Sequence, residues 1–159
     1  MRSRSDMMSN VNVSQNQVNP PRNGGSPKGG AIILFDGECN LCNAWVNFVI
    51  DRDPAGYFKF SASQAEAARP ILENYGITDE AANTVFLVED GFLHRRSDAA
   101  LRIARRLTFP WPLFFGLILI PRFLRDAVYN LIAKNRYRWF GTREECRVPT
   151  PEIENRFLR

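Results

Sequence analysis

Long apolar runs are absent from this chain of 159 residues. The longest, residues 109–120, has twelve residues without a charge, where a bilayer crossing needs about 20. Cysteine is scarce. Three residues, Cys39, Cys42 and Cys146, are too few and too unevenly spaced for a disulfide-stapled secreted mini-protein, but enough for one reactive pair and a spare. Histidine is scarcer still, with His94 alone. Residues 1–30 lack apolar periodicity and the apolar core of a secretory signal, and they end in the breaker run Gly24-Gly25-Ser26-Pro27-Lys28-Gly29-Gly30. They are expected to form a disordered extension. Arg2 and Arg4 among serines leave an organellar transit peptide open, and a cytoplasmic location is the default expectation.

What remains is globular in composition, with 45% hydrophobic, 12% aromatic and 24% charged residues. The net charge of +4 is unevenly spread. Residues 1–93 carry 7 basic and 11 acidic side chains, and residues 94–159 carry 14 and 6, all but one of the 14 being arginine. An arginine excess without a motif gives no case for nucleic-acid binding. Its simplest reading is a solvated helix face.

Order is expected from Ala31. Ala31-Ile32-Ile33-Leu34-Phe35 reads as a strand covered on both faces. Cys42, Trp45, Val46, Val49 and Ile50 then form one helical stripe, stopped by Asp53-Pro54-Ala55-Gly56. Residues 57–60 form a second strand. A helix through Ala68, Ile71, Leu72 and Tyr75 follows, kinked or split at Pro70. Residues 84–88 and 92–95 form a hairpin about Asp90-Gly91, and Ser97-Asp98 is expected to cap the next helix. The order β-α-β-α-β-β-α predicts an α/β fold, a four-stranded mixed sheet sandwiched by helices, which is the minimal thioredoxin-like core. Residues 109–120 are expected to be a buried or partner-covered connection, with peripheral membrane contact as the competing reading. Pro121 is expected at N1 of a final amphipathic helix over 121–135, with Leu124, Val128, Leu131 and Ile132 on one face and Arg122, Arg125 and Lys134 on the other. The chain is expected to fray over 148–159.

The chemistry is concentrated in Asp36-Gly37-Glu38-Cys39-Asn40-Leu41-Cys42. A CxxC at a strand-to-helix junction makes its two thiols unequal. Cys39 falls at the helix N-terminus, where exposed N–H groups and the helix dipole favour a thiolate. Cys42 lies one turn in, on the apolar stripe, where it is shielded. Cys39 is then the attacking thiolate on a substrate disulfide and Cys42 the resolving thiol. Glu38 opposes the dipole, which favours a reductase-like over a strongly oxidising couple. Asp36 is expected either to make the turn with Gly37 or to manage the proton of Cys42. The same cysteines with Cys146 and His94 compose a Cys₃His set, so a structural zinc module is the alternative.

Phe35-Asp36-Gly37-Glu38-Cys39-Asn40-Leu41-Cys42 resembles the Asp-Gly-x-Cys-x-x-Cys signature of the DCC family of thiol-disulfide oxidoreductases. Ser97-Asp98-Ala99 is similar to that family's Ser-Asp-Ala helix start. Tyr129, Asn135-Arg136-Tyr137, Phe140-Gly141 and Cys146 are similar to its C-terminal pattern. The resemblance covers about residues 31–147. It implies a thioredoxin-like fold with a C-terminal helical extension and protein-disulfide reductase-type activity. It also implies Cys39 and Cys42 as the redox pair, with Asp36 as the eponymous aspartate.

The expected substrate is a disulfide-containing protein or small molecule. An external thiol reductant or redox partner resets the pair, and no bound organic cofactor or metal is needed. Thioredoxin-like proteins usually place a cis-proline before the strand beside the active-site helix. This chain has Asn83-Thr84 there, so Thr84, with Leu41, is the candidate for substrate binding. Arg136 is expected to close the C-terminus of its helix, with stabilisation of an anionic thiolate or substrate as the competing reading.

Overall fold

The structure, a computed structural model, describes residues 29–77, 84–142 and 151–158. The tail expected over 1–30, apart from Gly29 and Gly30, lies outside these residues, as does Cys146.

Strand β1 (Ala31–Phe35) is buried along its whole length and occupies an interior place in a sheet ordered β2-β1-β3-β4. Helix α1 (Asn40–Asp51) crosses over to β2 (Phe58–Ala62), which pairs parallel to β1 with Ile33 opposite Phe60. Strand β3 (Phe86–Glu89) pairs antiparallel to β1, and β4 (Phe92–Arg95) antiparallel to β3. The intervening turn has Asp90 and Gly91 both at positive φ, 52° and 82°, the geometry that favours Asp-Gly in a two-residue hairpin. The fold is thioredoxin-like α/β, as expected.

Alternation along β1 divides the core. Ala31, Ile33 and Phe35 pack with Cys42, Val46 and Val49 of α1 and with Ile103 of α3 (Arg96–Arg106). Ile32 and Leu34 pack on the opposite side with Leu72 of α2 (Arg69–Asn74). Each fully buried Leu, Ile or Phe contributes about 1.5–3 kcal/mol. The split expected at Pro70 is present as a 3₁₀ turn at Glu66–Ala68 running into α2.

Several boundaries differ from expectation. Strands β2 and β3 begin one and two residues later than the apolar runs suggest. Helix α3 begins at Arg96 with no side-chain cap. Ser97 Oγ donates instead to Asp126, and Asp98 binds His94 and Arg102; tertiary and i,i+4 partners have taken over the capping side chains. Residues 111–119 form a 3₁₀ helix in which no residue is buried, so within this chain the stretch is not the buried connection expected.

Helix α4 (Arg122–Phe140) runs five residues beyond the expected end. Pro121 is its N-cap, with an extended ψ of 136°, and Gly141, at φ 74°, stops it. Where a fraying tail is expected over 148–159, residues 151–158 instead contain helix α5 (Pro151–Glu154) and lie along the outer edge of β2. Phe60 N–H donates to Arg156 O at 2.7 Å, Leu158 N–H donates to Phe60 O at 2.8 Å, and Arg156 is paired with Asp53 at 2.5 Å.

A candidate dithiol site

The chain leaves β1, turns at Asp36-Gly37 and enters α1 with Cys39 as its N-cap. The turn is tied locally. Glu38 N–H donates to Asp36 Oδ1 at 3.0 Å, and Asn43 Nδ2 donates to Gly37 O at 2.8 Å and to Cys39 O at 3.1 Å. Gln64, after β2, adds a second support: it accepts from Gly37 N–H at 3.2 Å and donates to Asp36 Oδ1 at 3.0 Å. Asp36 thus makes the Asx-type turn its sequence position suggests, and its other oxygen is left for partners elsewhere.

Those partners come from α4. Arg136, buried like Asp36, donates from one terminal nitrogen to Asp36 Oδ2 at 2.7 Å and from the other to Cys42 Sγ at 3.5 Å. Tyr137 also donates its hydroxyl to Asp36 Oδ2 and accepts from Arg136 at 3.0 Å. The expected role of Arg136, closing a helix end, is therefore wrong; it is the cation of a buried cluster. Local sequence suggests no such partner, but Tyr129, Ala133 and Arg136 fall at i, i+4 and i+7, one face of a helix. That spacing was the available signal.

The two thiols are unbridged and unequal. Cys39 Sγ accepts from Cys42 N–H at 3.4 Å, as an N-cap side chain does. Burial pushes the Cys42 thiol up to about 12. The hydrogen bond and charge of Cys39 and the charge of Asp36 add to that rise, and Arg136 opposes it. Burial and the bond to Asp36 likewise raise Tyr137 to about 12, so it is a donor throughout the physiological range. Burial would lower Arg136, but the charges of Cys42 and Tyr137 more than compensate and raise it.

Cys39 has no exposed surface. Its backbone pairs with Thr142 just after α4. Asn40 is held in the same way, its N–H donating to Gly141 O at 3.5 Å and its side chain to Phe140 O at 2.9 Å. Residues 140–142 form a strap over the start of α1. Cys42, by contrast, lines a cavity of about 320 Å³ together with Arg136; Leu41, Trp45, Val85 and Ile132 supply apolar walls.

Of the residues singled out in the sequence, Asp36, Cys39 and Cys42 come together, and Leu41 lines the cavity beside them. Thr84 is buried just before β3 and does not line that cavity; Val85 does. The backbone of Val85 is already engaged, its N–H with Tyr129 Oη at 3.1 Å and its C=O with Arg96 N–H at 3.2 Å. His94 sits on edge strand β4, bonded to Asp98 at 2.9 Å. Among the described residues no three His, Cys, Asp or Glu side chains gather as a metal site. No helix there is long and apolar enough to cross a membrane.

Residues 33–142 match the family model described as DCC1-like thiol-disulfide oxidoreductase. "Uncharacterized protein YuxK" of Bacillus subtilis is 43% identical over 127 residues, covering 80% of this chain and 93% of that protein. A chloroplastic DCC family protein of Arabidopsis thaliana is 40% identical over 118 residues, 74% of this chain and 69% of that protein. No solved structure matches.

Proposed function

The chain belongs to the DCC1-like thiol-disulfide oxidoreductase family, and from that premise we propose that it reduces disulfides through Cys39 and Cys42. Cys39 thiolate attacks one sulfur of a substrate disulfide, and the other sulfur leaves as a thiolate that takes up a proton. Cys42 then gives up its proton and attacks Cys39 Sγ. The Cys39–substrate bond breaks, the second substrate thiolate takes that proton, and the enzyme is left as a Cys39–Cys42 disulfide. Two electrons pass from the enzyme dithiol to the substrate, and an external dithiol or a redox partner protein returns them.

The observation that carries this reading is the placement of Arg136 between Asp36 and Cys42. A thiol held up at about 12 is a poor nucleophile until charge on it is stabilised. A cation 3.5 Å from Sγ favours the anion at the moment resolution needs it. Asp36 acts through Arg136 as a positioning residue. The buried state of Cys39 requires the strap formed by residues 140–142 to lift before attack. The apolar cavity at Cys42 favours a substrate with an apolar group beside its disulfide.

A redox titration in glutathione or dithiothreitol buffers, with thiols trapped and counted by mass, tests the proposal. Wild type and the Cys146→Ser variant should show one reversible two-electron transition, which Cys39→Ser and Cys42→Ser should each abolish. Cys42→Ser should accumulate a mixed disulfide on Cys39. Thiols protected until a chelator is added would replace the proposal with a metal site.

A further inference from the structure

Helix α4 is turned inside out relative to an ordinary surface helix. Of its nineteen residues only Arg136 is buried, while Phe123, Leu124, Val128, Leu131, Ile132 and Trp139 are exposed. The 3₁₀ segment ahead of it continues the pattern, with Leu119 88% and Leu113 68% exposed. Monomeric proteins seldom leave so much contiguous apolar surface uncovered.

The charges on this face have one sign. From Thr108 to Thr142 the sole acidic residue is Asp126, and it accepts the hydrogen bond of Ser97. Arg122, Lys134 and Arg138 are exposed on α4, and Lys134 and Arg138, at i+3 and i+7 from Leu131, fall on the apolar side rather than on the opposite face expected for Lys134. An arrangement of this kind repels its own copy, because a two-fold interface would set like charges against like. It is complementary to a surface that is both apolar and anionic. The aromatic pair Trp111 and Phe114, stacked with centroids 5.5 Å apart, and Trp139 at the far end of α4 are residue types that favour a lipid–water boundary. Between α3 and α4 an apolar cavity of about 470 Å³, bounded by Leu101, Leu117, Leu124 and Val128, opens on the same side.

We propose that residues 111–119 and the outward face of α4 form a docking surface for an anionic lipid membrane, on which the protein lies without crossing it. A 19-residue helix is about 28 Å long, and lying in the interface it buries its apolar face while its lysine and arginines reach the headgroups. Ile132 also lines the cavity at Cys42, so the docking face borders the dithiol site, but lipid binding needs neither thiol.

Co-sedimentation of the full chain with vesicles tests it, comparing pure phosphatidylcholine with mixtures containing phosphatidylglycerol. Binding to the anionic vesicles is expected, falling about tenfold or more at high salt and in the Arg122→Glu/Lys134→Glu variant. Leu131→Glu should also abolish binding with the far-UV circular dichroism and the thiol redox transition unchanged. Failure to bind either vesicle, or equal binding to both, overturns the proposal. So does a concentration-dependent dimer in sedimentation velocity that Leu131→Glu dissolves.

Discussion

The guanidinium of Arg136 is held 2.7 Å from the carboxylate of Asp36, a residue 100 positions earlier in the chain, and both are almost fully buried. The pair joins the first turn after β1 to the last turns of α4. It also fixes where the remaining terminal nitrogen points, at Cys42 Sγ. Breaking such a pair from one side leaves a charge stranded in the interior.

Asp36→Asn is therefore expected to destabilise the fold by about 3–5 kcal/mol. The double variant Asp36→Asn/Arg136→Met should lose less than the two single variants summed, because neither charge is left alone. Urea denaturation of all four proteins checks this. Strict additivity would mean the pair is not energetically coupled.

Arg136→Gln removes the cation beside Cys42 that lowers its pKa. Resolution of the Cys39 mixed disulfide should slow about three- to fourfold for each unit by which Cys42 rises, the lost thiolate being partly offset by its greater nucleophilicity, with the first attack less affected. Acid quenching and mass analysis of the mixed disulfide during single turnover separate the two steps. Equal slowing of both would assign Arg136 a purely structural role.

For Asp98, burial acts to raise the pKa, but the hydrogen bond from His94 and the charge of Arg102 outweigh it and bring the carboxyl from 3.8 to about 2. A carboxyl depressed in the folded state contributes stability above its unfolded pKa and loses it as pH falls toward the folded one. Urea midpoints should drop between pH 4 and pH 2, and Asp98→Asn should flatten that part of the profile while lowering stability at pH 6. An unchanged acid limb in the variant would contradict the assignment.

Gly141 has φ 74° and ψ −178°, a conformation essentially confined to glycine. An added Cβ would also sit 3.4 Å from Asn40 Nδ2. Gly141→Ala should cost about 1–3 kcal/mol and loosen the strap, so that Cys39 is alkylated faster than in wild type. Iodoacetamide labelling at fixed pH, with peptides mapped by mass, measures the rate.

Where a local pattern decides the structure, the sequence was readable. The unbroken apolar run of β1 has no polar face to expose. Asp90-Gly91 suits both positive-φ positions of its turn, and Cys39 stands one turn ahead of the helical stripe that begins at Cys42. The pattern was misleading where distant partners decide. Ser97-Asp98 has the form of a cap, yet Asp126 and His94 claim its side chains. Arg136 looks like a terminal basic residue until α4 is folded back on Asp36. Residues 151–158 look like a fraying end, but Arg156 finds Asp53 across the fold. Leu124, Val128, Leu131 and Ile132 do share a helix side, but periodicity alone does not tell an inward face from an outward one.

The separation of Asp36 and Cys42 from Arg136 also sets an order in time. A ribosome making about 5–20 residues per second delivers both cysteines some 5–20 seconds before the arginine that follows 94 positions after Cys42. During that interval the nascent dithiol has neither its cation nor the strap formed by residues 140–142, and Cys39 is open to oxidation. The completed chain is what shelters it, so synthesis that stalls before α4 releases an unguarded CxxC rather than a slow enzyme.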